Sequence, residues 1–171
     1  LAALAHHALY DRNVADAAHA TALLMRDAFH TTALVCQLAH ELLRITADSE
    51  RTRARHVRLL TRWARWDTDR AAIVVTELAE LLALQGDAEG ACEKLSELRS
   101  KGRVRKQSGG PDDAYVSGQL GLAQLHRLRA LGDVAGAGAR RAAEALANLE
   151  YACRAHPTAT RFVAGRAELL E

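Results

Sequence analysis

The sequence predicts an all-α protein, an α-solenoid of stacked antiparallel helix pairs, and three observations predict it. The chain has 171 residues and is 49% hydrophobic but only 4% aromatic, with 2 prolines. Alanine and leucine, roughly a third of the chain together, therefore supply its apolar bulk, a composition that favours helices over strands. Apolar residues also recur at spacings of three and four in one segment after another, the period of a helix with one buried side. Finally, the segments Leu84-Gln85-Gly86-Asp87 and Leu131-Gly132-Asp133 repeat one local pattern, in which an apolar helix ends at a Gly-Asp elbow and a helix with small residues follows.

The elements follow in order. Leu1 to Tyr10 is a short first helical segment. From Val14 to Phe29 a stripe of Val14, Ala18, Ala22, Met25 and Phe29 predicts a helix, broken at His30-Thr31-Thr32, where either threonine can cap the next. Leu34, Leu38, Leu42 and Ile45 form the next stripe, ending near Asp48-Ser49. A helix from about Ser49 to Trp66 buries Val57, Leu60 and Ala64, and Asp67-Thr68-Asp69 separates it from one carrying Ile73, Val74, Leu78, Leu81 and Leu82. That helix ends at Gly86, which takes the left-handed conformation, and Asp87 caps its successor.

The helix from Ala88 to Arg99 presents Ala91, Cys92, Leu95 and Leu98 on one side. Residues 101–111, Lys-Gly-Arg-Val-Arg-Lys-Gln-Ser-Gly-Gly-Pro, have no periodicity and form a basic, Gly-rich loop between helix pairs. Asp112 or Asp113 starts a long helix through Gly118, Leu122, Leu125 and Leu128 to Gly132. The next is weakened at its start by Gly136 and Gly138 and runs through Ala142, Ala145, Leu149 and Cys153. His156-Pro157-Thr158 breaks it before a last helix to Leu170.

A two- or three-residue elbow makes its flanking helices antiparallel neighbours, and small residues let their backbones approach. With Gly86 as the elbow glycine, the chain resembles the tetratricopeptide repeat family. Leu78 and Ala79 fall where that family places its Leu-Gly pair, Ala91 matches its small residue in the second helix, and Leu95 takes the bulky position. Leu82 replaces the usual tyrosine, Val75 the leading tryptophan and Arg103 the terminal proline. Around Gly132 the elbow and Ala137 fit, but polar residues fall on later core positions. The elbow glycines lie 46 residues apart, against about 34 in the family, and the basic loop accounts for the excess. The resemblance implies a superhelix that binds partner polypeptides; an ordinary helical bundle with Gly-Asp turns is the alternative.

At this length a single helical-repeat domain over residues 1–171 is expected, and the absence of an initiator methionine at Leu1 suggests a piece of a longer chain. The net charge of +2 gives no global field that commits the molecule to nucleic acid or to membrane, and no apolar run reaches the ~20 residues of a span. Three widely spaced cysteines, Cys36, Cys92 and Cys153, sit among apolar residues without metal-type spacing, which fits a reducing, intracellular and cytoplasmic setting. Serine-hydrolase, phosphate-loop and metalloprotease signatures are absent, and the eight histidines are scattered over different helices. No catalytic residue, metal or cofactor is expected.

The sharpest pattern is electrostatic. Arg51, Arg55, Arg58, Arg62 and Arg65 recur at spacings of 4, 3, 4 and 3, beside Trp63 and Trp66. Guanidinium groups in a row bind carboxylates or phosphates bidentately, and indoles stack on planar groups. Two structural alternatives stand beside that reading: the stripe can pair internally with Glu89, Glu93 and Glu97, and the tryptophans can be core. A second cluster, Lys101, Arg103, Arg105 and Lys106, lies in the basic loop and could hold phosphates, though no aromatic is interleaved with it. The expectation is a non-enzymatic scaffold or assembly module within a larger complex. Its partner is a polypeptide, with an acidic segment as the natural ligand. The alternative is a regulatory or nucleic-acid-associated domain using residues 51–65 and 99–106.

Overall fold

A computed structural model describes residues 2–26, 33–46, 49–67, 70–100, 112–131 and 137–170. The elements among them are α-helices: α1 (Ala2–Tyr10), α2 (Val14–Arg26), α3 (Ala33–Ile45), α4 (Glu50–Trp66), α5 (Ala71–Leu84), α6 (Ala88–Ser100), α7 (Asp113–Leu131), α8 (Ala137–Ala155) and α9 (Thr160–Leu170). They group into two compact units, Leu1–Asp67 and Thr68–Glu171. The all-α expectation holds. Both the 101–111 loop and the Gly132-Asp133 elbow lie outside the described residues.

In the first unit each helix packs on the next, and α1 also reaches α3. Ala5, Ala20, Leu24, Val35 and Leu38 form a core that Leu9 flanks. The expected face of α2 is wrong by about one residue. Ala17, Ala20, Thr21 and Leu24 are buried, whereas Met25 stands 47% exposed. Alanines flank this helix on several sides, so its apolar periodicity has too little contrast to orient it. On α3 the core side carries Val35, Cys36, Leu38 and Ala39, while Leu34 and Ile45 of the expected stripe face outward. Phe29, the last member of the α2 stripe, lies outside the described residues.

The turn between α1 and α2 was not foreseen as an elbow. Asn13 N–H donates to the Ala8 carbonyl at 2.8 Å and Arg12 N–H to that of Leu9 at 3.1 Å, the paired closure of a helix by a left-handed residue. That residue is Arg12, at φ 55°. Asn13 then caps α2, its Oδ1 accepting from the Asp16 N–H at 3.3 Å.

In the second unit each helix packs on the next, and the alternate helices α5, α7 and α9 also touch in sequence. The α5–α6 elbow forms as expected. Gly86 has φ 85°, Asp87 N–H reaches the Leu82 carbonyl at 2.9 Å, and Asp87 Oδ1 accepts from Gly90 N–H at 2.9 Å. Ala91, Cys92, Leu95 and Leu98 join Ala72, Ala79, Val116, Leu120 and Ala123 in one core, as the α6 stripe predicts. A second core of Leu149, Ala152 and Phe162 holds α7, α8 and α9 together. Here α7 comes so close to α8 that a Cβ on Gly121 would sit 2.7 Å from Leu149 Cγ and 3.0 Å from the Ala145 carbonyl oxygen.

Candidate functional site

The first helix capped by a serine also carries the strongest charge pattern. Ser49 Oγ accepts from the Thr52 N–H at 3.2 Å, which starts α4. At about 100° per residue, Arg51, Arg55, Arg58, Arg62 and Arg65 fall within an arc of about 80°. His56, Leu60 and Trp63 occupy the opposite side and are buried. All five arginines are exposed. Among the described residues of the first unit none of them has a carboxylate within ion-pair distance; Glu41 is taken by Arg44 at 2.9 Å and Asp11 by His7 at 3.3 Å.

The structure separates Trp63 from the expected docking row. Trp63 is 6% exposed, and its indole Nε1 donates to Asp67 Oδ2 at 3.0 Å, so it is a core residue that closes the end of α4. Its place three residues after Leu60 puts it on the buried side. The Trp66 side chain lies outside the described residues, as do Lys101, Arg103, Arg105 and Lys106. Arg99, at the threshold of that loop, is engaged within its own unit, 3.2 Å from Asn148 Oδ1 and 3.9 Å from Asp113.

The three α6 glutamates belong to the second unit and are all exposed. Glu89 is bound by Arg127 of α7 at 2.5 Å, and Glu97 lies 3.7 Å from Lys94.

Behind the arginine face lies a pair of imidazoles that the scattered histidines did not foretell. His56 Nε2 and His40 Nδ1 are 2.8 Å apart across the α3–α4 contact. His56 is 3% exposed, and its Nδ1 finds no partner among the described residues. A proton on Nε2, donated to His40, leaves only a bare lone pair at Nδ1, which costs less than an orphaned N–H. Burial, then the neighbouring His40, push the His56 pKa down to about 4, with Arg44 adding to the effect and Glu41 opposing it. This imidazole stays neutral at physiological pH.

The second unit has a cleft of about 150 Å³ with an apolar floor that includes Ala79, Leu95 and Ala123. Arg161 of α9 reaches into it, its guanidinium 5.1 Å from the centroid of the Tyr115 ring and 5.3 Å from that of Phe162. It donates to the Tyr115 hydroxyl, pairs with Glu80 of α5 at 3.5 Å, and meets the Gln119 carboxamide oxygen at 2.7 Å. Arg161 thus ties α5, α7 and α9 together. Its hydrogen-bonding capacity is directed at protein groups, which makes it a brace for the cleft wall. No sequence signal connects residues 80, 119 and 161, because the contact depends on how three separate helices pack.

Among the described residues no group of three or more histidine, cysteine or acidic side chains is placed to hold a metal ion. Cys36, Cys92 and Cys153 are free thiols. Burial pushes the Cys92 thiol up to about 11, and burial followed by Asp67 raises that of Cys36, so neither is an activated nucleophile. Among the described residues no helix is long and apolar enough to cross a membrane. Comparison of the chain with family models, with curated proteins and with solved structures finds no match in any of the three.

Proposed function

We propose that this chain is a non-catalytic protein-interaction module, a scaffold within a larger assembly, which holds an acidic segment of a partner polypeptide on the arginine face of α4. One observation carries the reading: five exposed arginines share an arc of one helix, and among the described residues of their unit none of the five has a carboxylate within ion-pair distance. Like charges three and four residues apart destabilise a helix by a few tenths of a kcal/mol per pair. A row of five therefore has a standing cost that an anionic partner removes.

The tetratricopeptide-like reading of the architecture belongs to the same proposal. It is supported by the Gly86 elbow, the small Ala91 beside it, and the side-by-side contact of α5, α7 and α9. A reducing intracellular setting fits three unbridged thiols.

The test is binding of fluorescent poly-glutamate to the full chain at rising salt, alongside Arg58→Glu/Arg62→Glu. The expected outcome is salt-sensitive binding to the parent chain and at least a tenfold weaker affinity in the variant. Equal affinity in a variant of unchanged helicity overturns the proposal.

A further inference from the structure

We infer that the segment held by α4 is itself helical, with carboxylates repeating at alternating spacings of four and three residues. The inference rests on the proposed capture of an acidic polypeptide and specifies the partner's conformation. Arg51, Arg55, Arg58, Arg62 and Arg65 step along the helix axis by about 6.0, 4.5, 6.0 and 4.5 Å, a span of about 21 Å. Their spacing is a seven-residue repeat, with Arg51, Arg58 and Arg65 forming one row and Arg55 and Arg62 the other. Such a repeat drifts by about 20° per heptad around a straight helix, and the surface that follows this drift is a second helix crossing at about 20°.

An extended peptide fits poorly. It shows side chains on one face every 6.6–6.8 Å or so, so it falls out of register with a row whose mean step is about 5 Å. A partner helix with glutamates at i, i+4, i+7, i+11 and i+14 reproduces both the steps and the drift. It offers each guanidinium a carboxylate for bidentate pairing. The same glutamates repel one another in the isolated segment, so that segment is poorly helical alone and gains helix on docking.

A nucleic-acid duplex is the competing polyanion. Its backbone presents charge along two continuous strands with no seven-residue period. The buried position of Trp63 also removes one of the two indoles that could stack on bases.

The experiment uses the full chain and two synthetic peptides of identical composition. One carries glutamates at i, i+4, i+7, i+11 and i+14; the other has them scrambled. A DNA duplex of matched length is the third probe. Fluorescence anisotropy reads affinity, and circular dichroism reads helix gained on mixing. The expected result is that the patterned peptide binds about tenfold or more tightly than the scrambled one and gains helicity, and that Arg58→Gln/Arg62→Gln abolishes the preference. Equal binding of both peptides without gained helix overturns this inference while leaving the acidic-partner proposal standing. Failure of both peptides to bind, or tighter binding of the duplex than of either, overturns the two together. The glutamine variant keeps two exposed polar side chains on the helix, and its unchanged helicity separates lost binding from lost fold.

Discussion

Arg12 and Gly86 hold the same place in two helix elbows of this chain. Each closes a helix in the left-handed region, at φ 55° and 85°, and each is followed by a residue, Asn13 or Asp87, whose side chain caps the next helix. Glycine meets this geometry without strain, whereas a residue with a Cβ does not. Arg12→Gly is therefore expected to stabilise the first unit by about 0.5–1 kcal/mol, the strain relieved exceeding the added freedom of the unfolded chain. Gly86→Ala is expected to destabilise the second by about 1 kcal/mol through its backbone alone, since a Cβ there meets nothing within 4 Å. Both tryptophans of the chain lie on α4, so denaturant titration read by their fluorescence reports the first unit; hydrogen exchange on α5 and α6 reports the second.

This pair of elbows also shows what the sequence made legible. The Gly86 turn could be read because glycine and aspartate name its chemistry. The Arg12 turn could not, since arginine carries no turn signal and the structure tolerates its strain. Helix α6 was oriented correctly because Leu95 and Leu98 stand among charged residues, but α2 was turned because alanine surrounds it. The arginine face was legible, as its spacing is local. The His40–His56 pair and the Arg161 brace were not, since each depends on the packing of separate helices.

Close approach between α7 and α8 leads to a second prediction. A methyl at Gly121 presses on Leu149 and on the Ala145 backbone. Gly121→Ala is expected to lower stability by about 1–2 kcal/mol despite alanine's better helix propensity, and Leu149→Ala by about 2–5 kcal/mol. Because the second change opens space for the first, the double variant should be less destabilised than the sum by about 1 kcal/mol. Hydrogen exchange on α7 and α8 measures all three, and strict additivity would refute the contact.

The buried imidazole makes the first unit acid-sensitive. His56 takes up a proton near its usual value of 6.5 when unfolded, but only near pH 4 when folded. As pH falls from about 6.5 to 4 the unfolded chain binds the extra proton, so stability falls across that window, by about 3 kcal/mol in all. Above the window this group costs nothing. His56→Gln keeps a donor for His40 and lacks the titration, so its stability should be flatter over the same range. Denaturant midpoints from tryptophan fluorescence at pH 7, 5.5 and 4.5 check it; parallel slopes in both proteins would count against the buried pair.

Asp112 gives the second unit a different acid response. It caps α7 through the Tyr115 N–H at 2.7 Å and accepts from His156 Nε2 at 2.8 Å. Burial works against its charge, but these hydrogen bonds prevail and hold its carboxyl below the usual range. Stability from this group is therefore complete above about pH 4 and is lost as pH falls through the lower folded value. Asp112→Ala, which removes the cap, is expected to cost about 1 kcal/mol at pH 7 and progressively less below pH 4. Hydrogen exchange on the first turn of α7 reads the effect, and a cost that does not diminish in acid would show that the carboxylate's charge is not what matters.

The arginine face allows a decision between a docking surface and an internal brace, made in the absence of any ligand. If Arg58 stands beside like charges only, Arg58→Glu replaces two repulsive neighbours, Arg55 at i−3 and Arg62 at i+4, with two attractive ones. Each change is worth a few tenths of a kcal/mol on either side of neutral, so the free chain should gain about 1 kcal/mol. The gain should shrink as salt rises toward 1 M, because the Debye length there is about 3 Å. Were Arg58 instead held by a carboxylate elsewhere in the chain, the same substitution would set two negative charges together and lower stability. A face that binds acidic partners at the expense of the stability of its own helix predicts the first result, together with a loss of poly-glutamate binding in the very variant that is more stable. Thermal denaturation at low and high salt, followed by the binding assay on the same preparation, measures both halves.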